Sequence, residues 1–142
     1  MRISDVLRSK GATVATITPE TSVAGLLTEL SVHNIGAMVV VSSDGLVGIV
    51  SERDVVRMLH EMGAELLKRP VSEIMTTLVA TCSPNDTLDS LTVLMTKNRV
   101  RHIPVVVEGR LAGIVSIGDV VKTRMEELER EQQQLQAYIT QG

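Results

Sequence analysis

The sequence predicts a mixed α/β (α+β) protein: two tandem β-α-β-β-α units in a pseudo-twofold arrangement, followed by an extended C-terminal helix. Three observations predict it. The chain repeats itself at a shift of 65 residues. Each copy alternates apolar runs rich in β-branched residues with apolar positions at helical spacing. The last stretch keeps a heptad spacing well beyond the second copy.

The repeat needs no gap. Val14-Ala15-Thr16 falls on Val79-Ala80-Thr81, Pro19 on Pro84, and Val40-Val41 on Val105-Val106. Gly48-Ile49-Val50-Ser51 falls on Gly113-Ile114-Val115-Ser116, and Asp54-Val55-Val56 on Asp119-Val120-Val121. Chance seldom keeps register through a Gly, a Ser, an Asp and a Pro together. A prelude repeats at a slightly different offset, with Ser4-Asp5-Val6-Leu7 resembling Ser72-Glu73-Ile74-Met75. The expected organisation is repeat 1 over 1–67, repeat 2 over 68–124 and a helical extension over 125–142.

The elements follow in order. Thr13 to Ile17 reads as a short strand. Pro19 and Pro84 mark turns before helices at about Ser22 to His33 and Thr87 to Lys97. Val23, Leu26, Leu27 and Leu30 carry the helical apolar spacing. Ala37 to Val41 and Ile103 to Val107 are unbroken apolar runs, as buried strands should be. Turns at Ser43-Asp44-Gly45 and Glu108-Gly109-Arg110 lead into antiparallel partners, Leu46 to Val50 and Leu111 to Val115. Helices start at about Glu52 and Ile117. A half of this size is marginal alone, so two copies are expected to bury a common core and leave two related clefts between them.

Composition narrows the function. A chain of 142 residues with 44% hydrophobic and 22% charged side chains is globular, not disordered. A net charge of −3 provides no basic footprint, so nucleic acid is not an expected partner. No apolar run reaches bilayer length, and the N-terminus lacks a secretory signal, so no membrane association is expected. One cysteine, Cys82, fits a reducing cytoplasm. With no Phe or Trp and a single Tyr, the core is aliphatic, and a bound base would lie between aliphatic side chains and backbone.

The sharpest local pattern is Gly48-Ile-Val-Ser51-Glu-Arg-Asp54 and its copy Gly113-Ile-Val-Ser116-Ile-Gly-Asp119. Each sits where a strand ends and a helix begins. One reading is a capping box, which needs no ligand. The other is a nucleotide site: the helix start favours phosphate, Ser donates to it, and Asp accepts from ribose hydroxyls. The two readings can coexist. Arg53 in the first motif is matched by Gly118 in the second. Arg101 and His102 open the second core strand where Gly36 and Ala37 open the first, so the clefts are unlike. Arg53 and Arg101 are either phosphate donors or solvated surface residues. No catalytic constellation is visible: no phosphate-binding glycine loop, no Cys pair for a metal and no nucleophile elbow.

Two tandem G-h-h-[ST]-x-x-D motifs in duplicated β-α-β-β-α units resemble a pair of cystathionine β-synthase (CBS) domains, a Bateman module. The resemblance covers residues 1 to about 123 and includes both prolines and Arg101-His102-Ile103-Pro104-Val105. It implies a non-catalytic sensor of AMP, ADP or ATP, with S-adenosylmethionine or NAD as other ligands, and no required cofactor or metal. By position, it implies that Ser51 with Asp54 and Ser116 with Asp119 hold phosphate and ribose. Ala37 and His102, beside Gly36 and Arg101, present backbone to the base. Met38, Ile103, Val23 and Leu88 wall the base, and Thr18 and Ser83 line the rims. Arg53 and Arg101 reach phosphates, and Gly118 makes the second cleft differ from the first. A homodimer, and a regulated enzyme or transporter as target, are also implied.

After Asp119 the helix is expected to run to about Thr140. Val121, Met125, Leu128, Gln132, Leu135 and Ile139 form a heptad seam with one polar break. The helix either packs on its own domain or, since ~24 residues span about 36 Å, associates with another copy or a partner. Three functions remain: a nucleotide-responsive regulatory module, a ligand-independent scaffold that uses this helix, and an enzyme, for which nothing in the sequence speaks.

Overall fold

The computed structural model describes residues 1–11, 13–77 and 80–141. Helix α1 (Ile3–Lys10) leads into β1 (Thr16–Ile17), α2 (Val23–His33), β2 (Ala37–Ser42), β3 (Gly45–Ser51) and α3 (Glu52–Met62). Short 3-10 turns at Gly63–Lys68 and Val71–Glu73 connect to β4 (Thr76–Thr77). The second copy contributes α4 (Leu88–Asn98), β5 (His102–Val107), β6 (Arg110–Ser116) and α5 (Ile117–Gln141). One sheet has the order β1-β2-β3-β4, and β5 and β6 form a second.

Local chemistry sets these limits. Ser22 and Thr87 cap α2 and α4, each accepting from the backbone N–H three residues on. Both helices end at a left-handed residue, Asn34 at φ 52° and Arg99 at φ 54°. The β2–β3 and β5–β6 hairpins even share their irregularity, between Val40 and Val41 in one and between Val105 and Val106 in the other.

The expected first strand is shorter than Thr13 to Ile17. Among the described residues only Thr16 and Ile17 pair in parallel with β2, opposite Val39 and Val40. In the second copy the matching pairing is a single bridge between Cys82 and Val105, and Val79 lies outside the described residues. The prelude repeats in sequence, but its two copies differ in conformation: α1 is an α-helix, whereas Val71–Glu73 is a 3-10 turn.

The preludes are exchanged between the halves. Ile3 and Ser4 donate backbone hydrogen bonds to Asp86 and Pro84, in the second copy's turn. Val71 and Ser72 donate the equivalent bonds to Thr21 and Pro19, in the first copy's turn. Packing follows the same exchange. Ile3, Val6 and Leu7 join the core of Leu88, Leu91, Ile103, Val105 and Val115. Val71 and Ile74 join the core of Val23, Leu26, Met38, Val40 and Val50. The expected division near residue 67 follows chain order, whereas the hydrophobic clusters cross it.

Two glycines make this possible. A Cβ on Gly48 would stand 2.8 Å from Met75 Sδ and 2.8 Å from the Thr76 carbonyl oxygen. A Cβ on Gly113 would stand 2.7 Å from Leu7 Cδ2. The repeat places Met75 and Leu7 in register, so each prelude seats its apolar residue on the glycine of the opposite copy. This is the pseudo-twofold relation in atomic detail.

Helix α5 reaches the expected end. Val120 and Thr123 are buried, and Arg124 pairs with Asp89 of α4 and with Glu127. From Leu128 to Gln141 every residue is exposed. The heptad seam faces solvent, with Val121, Met125, Leu128, Leu135 and Ile139 between 52% and 73% exposed.

Candidate functional site

Each Ser–Asp pair forms at a strand-to-helix junction. At the first, Ser51 ends β3 and starts α3. Its backbone N–H donates to Asp54 Oδ2 at 2.8 Å, its hydroxyl lies 3.1 Å from the same oxygen, and Ser51 Oγ accepts from the Asp54 N–H at 3.3 Å. At the second, the Ser116 N–H donates to Asp119 Oδ2 at 2.8 Å and Ser116 Oγ accepts from the Asp119 N–H at 3.1 Å. The capping geometry is therefore present in both copies. Asp54 still lines a cavity while it caps, so capping leaves it available to a ligand.

The first cavity, about 420 Å³, lies between the halves. Its lining brings Gly36, Ala37, Ser51, Arg53 and Asp54 together with Arg101 and His102. Backbone bonds hold this junction: the Glu52 N–H donates to Gly36 O at 3.0 Å, and the Ile117 N–H donates to Arg101 O at 2.8 Å. Sequence reasoning missed Arg57 and Arg99, which also line it. Arg57 lies one helical turn beyond Arg53, a spacing that could have flagged it. Arg99 takes the left-handed cap position of Asn34 in the other copy, so the repeat alignment carried that signal. Arg53, Arg57, Arg99 and Arg101 are exposed, and none forms an ion pair among the described residues.

The second cavity, about 250 Å³, is the pseudo-twofold counterpart, lined by Ser116, Ile114, His102, Gly36, Ala37 and Lys10 among others. Lys10 Nζ donates to Ile114 O at 2.8 Å and to Asp119 Oδ2 at 2.6 Å. Burial pushes the Asp119 carboxyl up, but hydrogen bonds from Lys10 and Ser116 and the Lys10 charge outweigh it and hold its pKa below the ordinary value. His102, which lines both cavities, has its pKa lowered, first by burial and then by Lys10 and Arg101 against the opposing Asp119 and Glu52.

The other expected residues line neither cavity. Val23, Met38, Leu88 and Ile103, expected to wall the base, are 0–1% exposed and belong to the two cores. Their side chains fill the space beneath the sheets, where alternation and helix packing direct them. Thr18 is tied to Thr21 across 2.9 Å, and Ser83 bonds the turn at Asn85 and Asp86. Gly118 stands exposed in the first turn of α5, and Asp119 faces Lys10.

Comparison with known proteins gives the family. The model of the family described as "CBS domain" matches twice, over residues 3–61 and 71–126. The chain belongs to the CBS-domain family. A mitochondrial CBS domain-containing protein of Arabidopsis thaliana is 38% identical, over 99% of this chain and 72% of that protein. The crystal structure of a CBS-domain protein from Agrobacterium tumefaciens is 46% identical with a TM-score of 0.82, covering 87% of this chain and 92% of that one. Another CBS pair, solved in complex with 5′-methylthioadenosine and S-adenosyl-L-methionine, is 27% identical with a TM-score of 0.76, covering 87% of this chain and 98% of that one. Among the described residues of this CBS pair, no helix is long and apolar enough to cross a membrane.

Proposed function

We propose that this CBS pair is a regulatory module, not a catalyst, that binds an adenine nucleotide of the AMP, ADP or ATP type in the first cavity. One observation carries the reading: four arginines without ion-pair partners among the described residues face a cavity that also holds the Ser51–Asp54 junction. Unpaired guanidinium groups around a cleft fit phosphate oxygens, with charge-assisted bonds about twice as strong as neutral ones. Asp54 supplies the acceptor for ribose hydroxyls, and the Gly36–Ala37 backbone offers an edge to the base. The CBS pair solved with two adenosine compounds supports the ligand class. Those two carry no phosphate, whereas the arginines here favour a phosphorylated ligand over S-adenosylmethionine; NAD, which has two phosphates, remains a further arm of the test.

The signal follows from the cleft's position. Residues of both copies line it, so a ligand that bridges them favours one inter-repeat arrangement over another. A homodimer would pass that shift to a regulated enzyme or transporter. The single cysteine, Cys82, fits a reducing compartment, and a cytoplasmic location is part of the proposal. Calorimetric titration with AMP, ADP, ATP, S-adenosylmethionine and NAD tests it. Saturable heat with a phosphorylated adenosine, weakened about 10- to 100-fold by Asp54→Ala or Arg101→Ala, is the expected result. No heat with any of the five, from folded protein, refutes it.

A second reading rests on α5. Its apolar seam is solvent-exposed over the length that leaves the body, which suits a scaffold whose partner binds that helix whether or not the cleft is filled. Deleting residues 125–142 separates the two readings: loss of partner binding with nucleotide affinity intact favours the scaffold.

A further inference from the structure

The two Ser–Asp junctions differ in what their aspartates face: Asp54 lines the first cavity, whereas Asp119 is bonded to Lys10, which lines the second. Asp54 has only Ser51 as a partner, and no cation lies within ion-pair distance of it among the described residues. Asp119 accepts a hydrogen bond from Lys10, whose side chain is 33% exposed and whose Nζ also reaches Ile114 O. The lysine is held there by its helix. Lys10 is the last residue of α1, one turn beyond Leu7, and Leu7 is seated on Gly113. Exchange of the prelude thus delivers an ammonium group to the mouth of the second cavity.

Size and charge agree with occupancy from within. At about 250 Å³ the second cavity is smaller than the ~300–1,000 Å³ usual for small-molecule sites, while the first falls inside that range. Among the described residues no arginine lines the second cavity, against four at the first. A ribose approaching Asp119 would have to displace a charge-assisted bond that it replaces only with neutral hydroxyl donors.

We propose that Lys10 is a specificity-determining residue that satisfies the Asp119 carboxylate from within, so that the chain takes one nucleotide across its two clefts. The inference rests on the nucleotide reading of the first cavity. The sequence separation of Lys10 and Asp119 hides it from any local motif.

Calorimetric stoichiometry with ATP as the probe tests it. The wild-type chain should take one ATP. Lys10→Met, which keeps the aliphatic stem, should take two, with the second lost again in Lys10→Met/Asp119→Asn. Lys10→Ala repeats the measurement should Met pack differently, and circular dichroism verifies that each variant is folded. Two ATP per wild-type chain, or one in both folded Lys10 variants, would overturn the inference. A wild-type chain that takes none refutes the reading of the first cavity instead. In that case the folded Lys10 variants judge this proposal alone: they should take one, in an Asp119-dependent way, and zero would overturn it.

Discussion

Lys10 Nζ lies 2.6 Å from Asp119 Oδ2, while the repeat-equivalent Asp54 carries no cation among the described residues. A duplicated motif has therefore acquired two electrostatic settings. The difference arises from the exchanged prelude, because α1 packs on the second copy and brings its terminal lysine with it. Sequence, packing and site chemistry meet at this pair.

The glycine contacts predict unequal costs for matched substitutions. At Gly48 a new Cβ would meet the Thr76 carbonyl, a backbone atom that cannot rotate away. At Gly113 it would meet the end of the Leu7 side chain, which can. Gly48→Ala should destabilise by ~1–3 kcal/mol, the usual range for overpacking, and Gly113→Ala by less. Urea denaturation of the two variants checks the order.

The alternation of hydrophobic runs made the hairpins and long helices legible, and the shift of 65 residues made the pseudo-twofold legible too. Periodicity reports which residues face a core, but not whose core. Ile3, Val6 and Leu7 show a helical spacing that fits either copy, and only tertiary packing sends them to the second. The same limit applies at the site. Ser51, Arg53 and Asp54 could be named from the motif, because helix starts carry their chemistry locally. The resemblance implies cleft positions for Val23, Met38, Leu88 and Ile103, yet their burial is complete or nearly so. Lys10 left no local trace.

Stability should fall in two stages with acid. His102 has a lowered pKa, chiefly from burial. As the pH drops below about 6.5 the unfolded chain takes up a proton there that the folded chain resists, so stability declines. Asp119 also has a lowered pKa, with Lys10 and Ser116 outweighing burial. Its contribution is fully present above about 3.9, the unfolded value, and is lost as the pH falls through the folded one. His102→Asn should flatten the first decline and Lys10→Met the second, read from denaturation midpoints against pH.

Cys82 should be chemically silent in the native state. Burial, and then the charge of Asp86, push its thiol up to about 12. Its Sγ lies against the Pro104 carbonyl oxygen at 3.6 Å. Thiolate is the reactive form, so a disulfide reagent at pH 8 should label the thiol only as fast as the protein opens. Labelling should become rapid in denaturant. Fast labelling without denaturant would contradict the packing of the second core.

The seam of α5 predicts concentration-dependent association. Leu128 and Leu135 are each 63% exposed, and Gln132 stands between them in the heptad. Sedimentation should show a dimer that Leu128→Asp/Leu135→Asp weakens at least about tenfold, since charges replace the buried seam positions of a coil. Nucleotide affinity should be unchanged, because neither residue lines the cavity.

The most direct measurement is a crystal structure of the protein grown with ATP. The account predicts one nucleotide per chain in the first cavity, its ribose hydroxyls on Asp54 and its phosphates among Arg53, Arg57, Arg99 and Arg101, with Lys10 still on Asp119. An adenosine seated at Asp119 instead, or a first cavity left without nucleotide at saturating ATP, would contradict it.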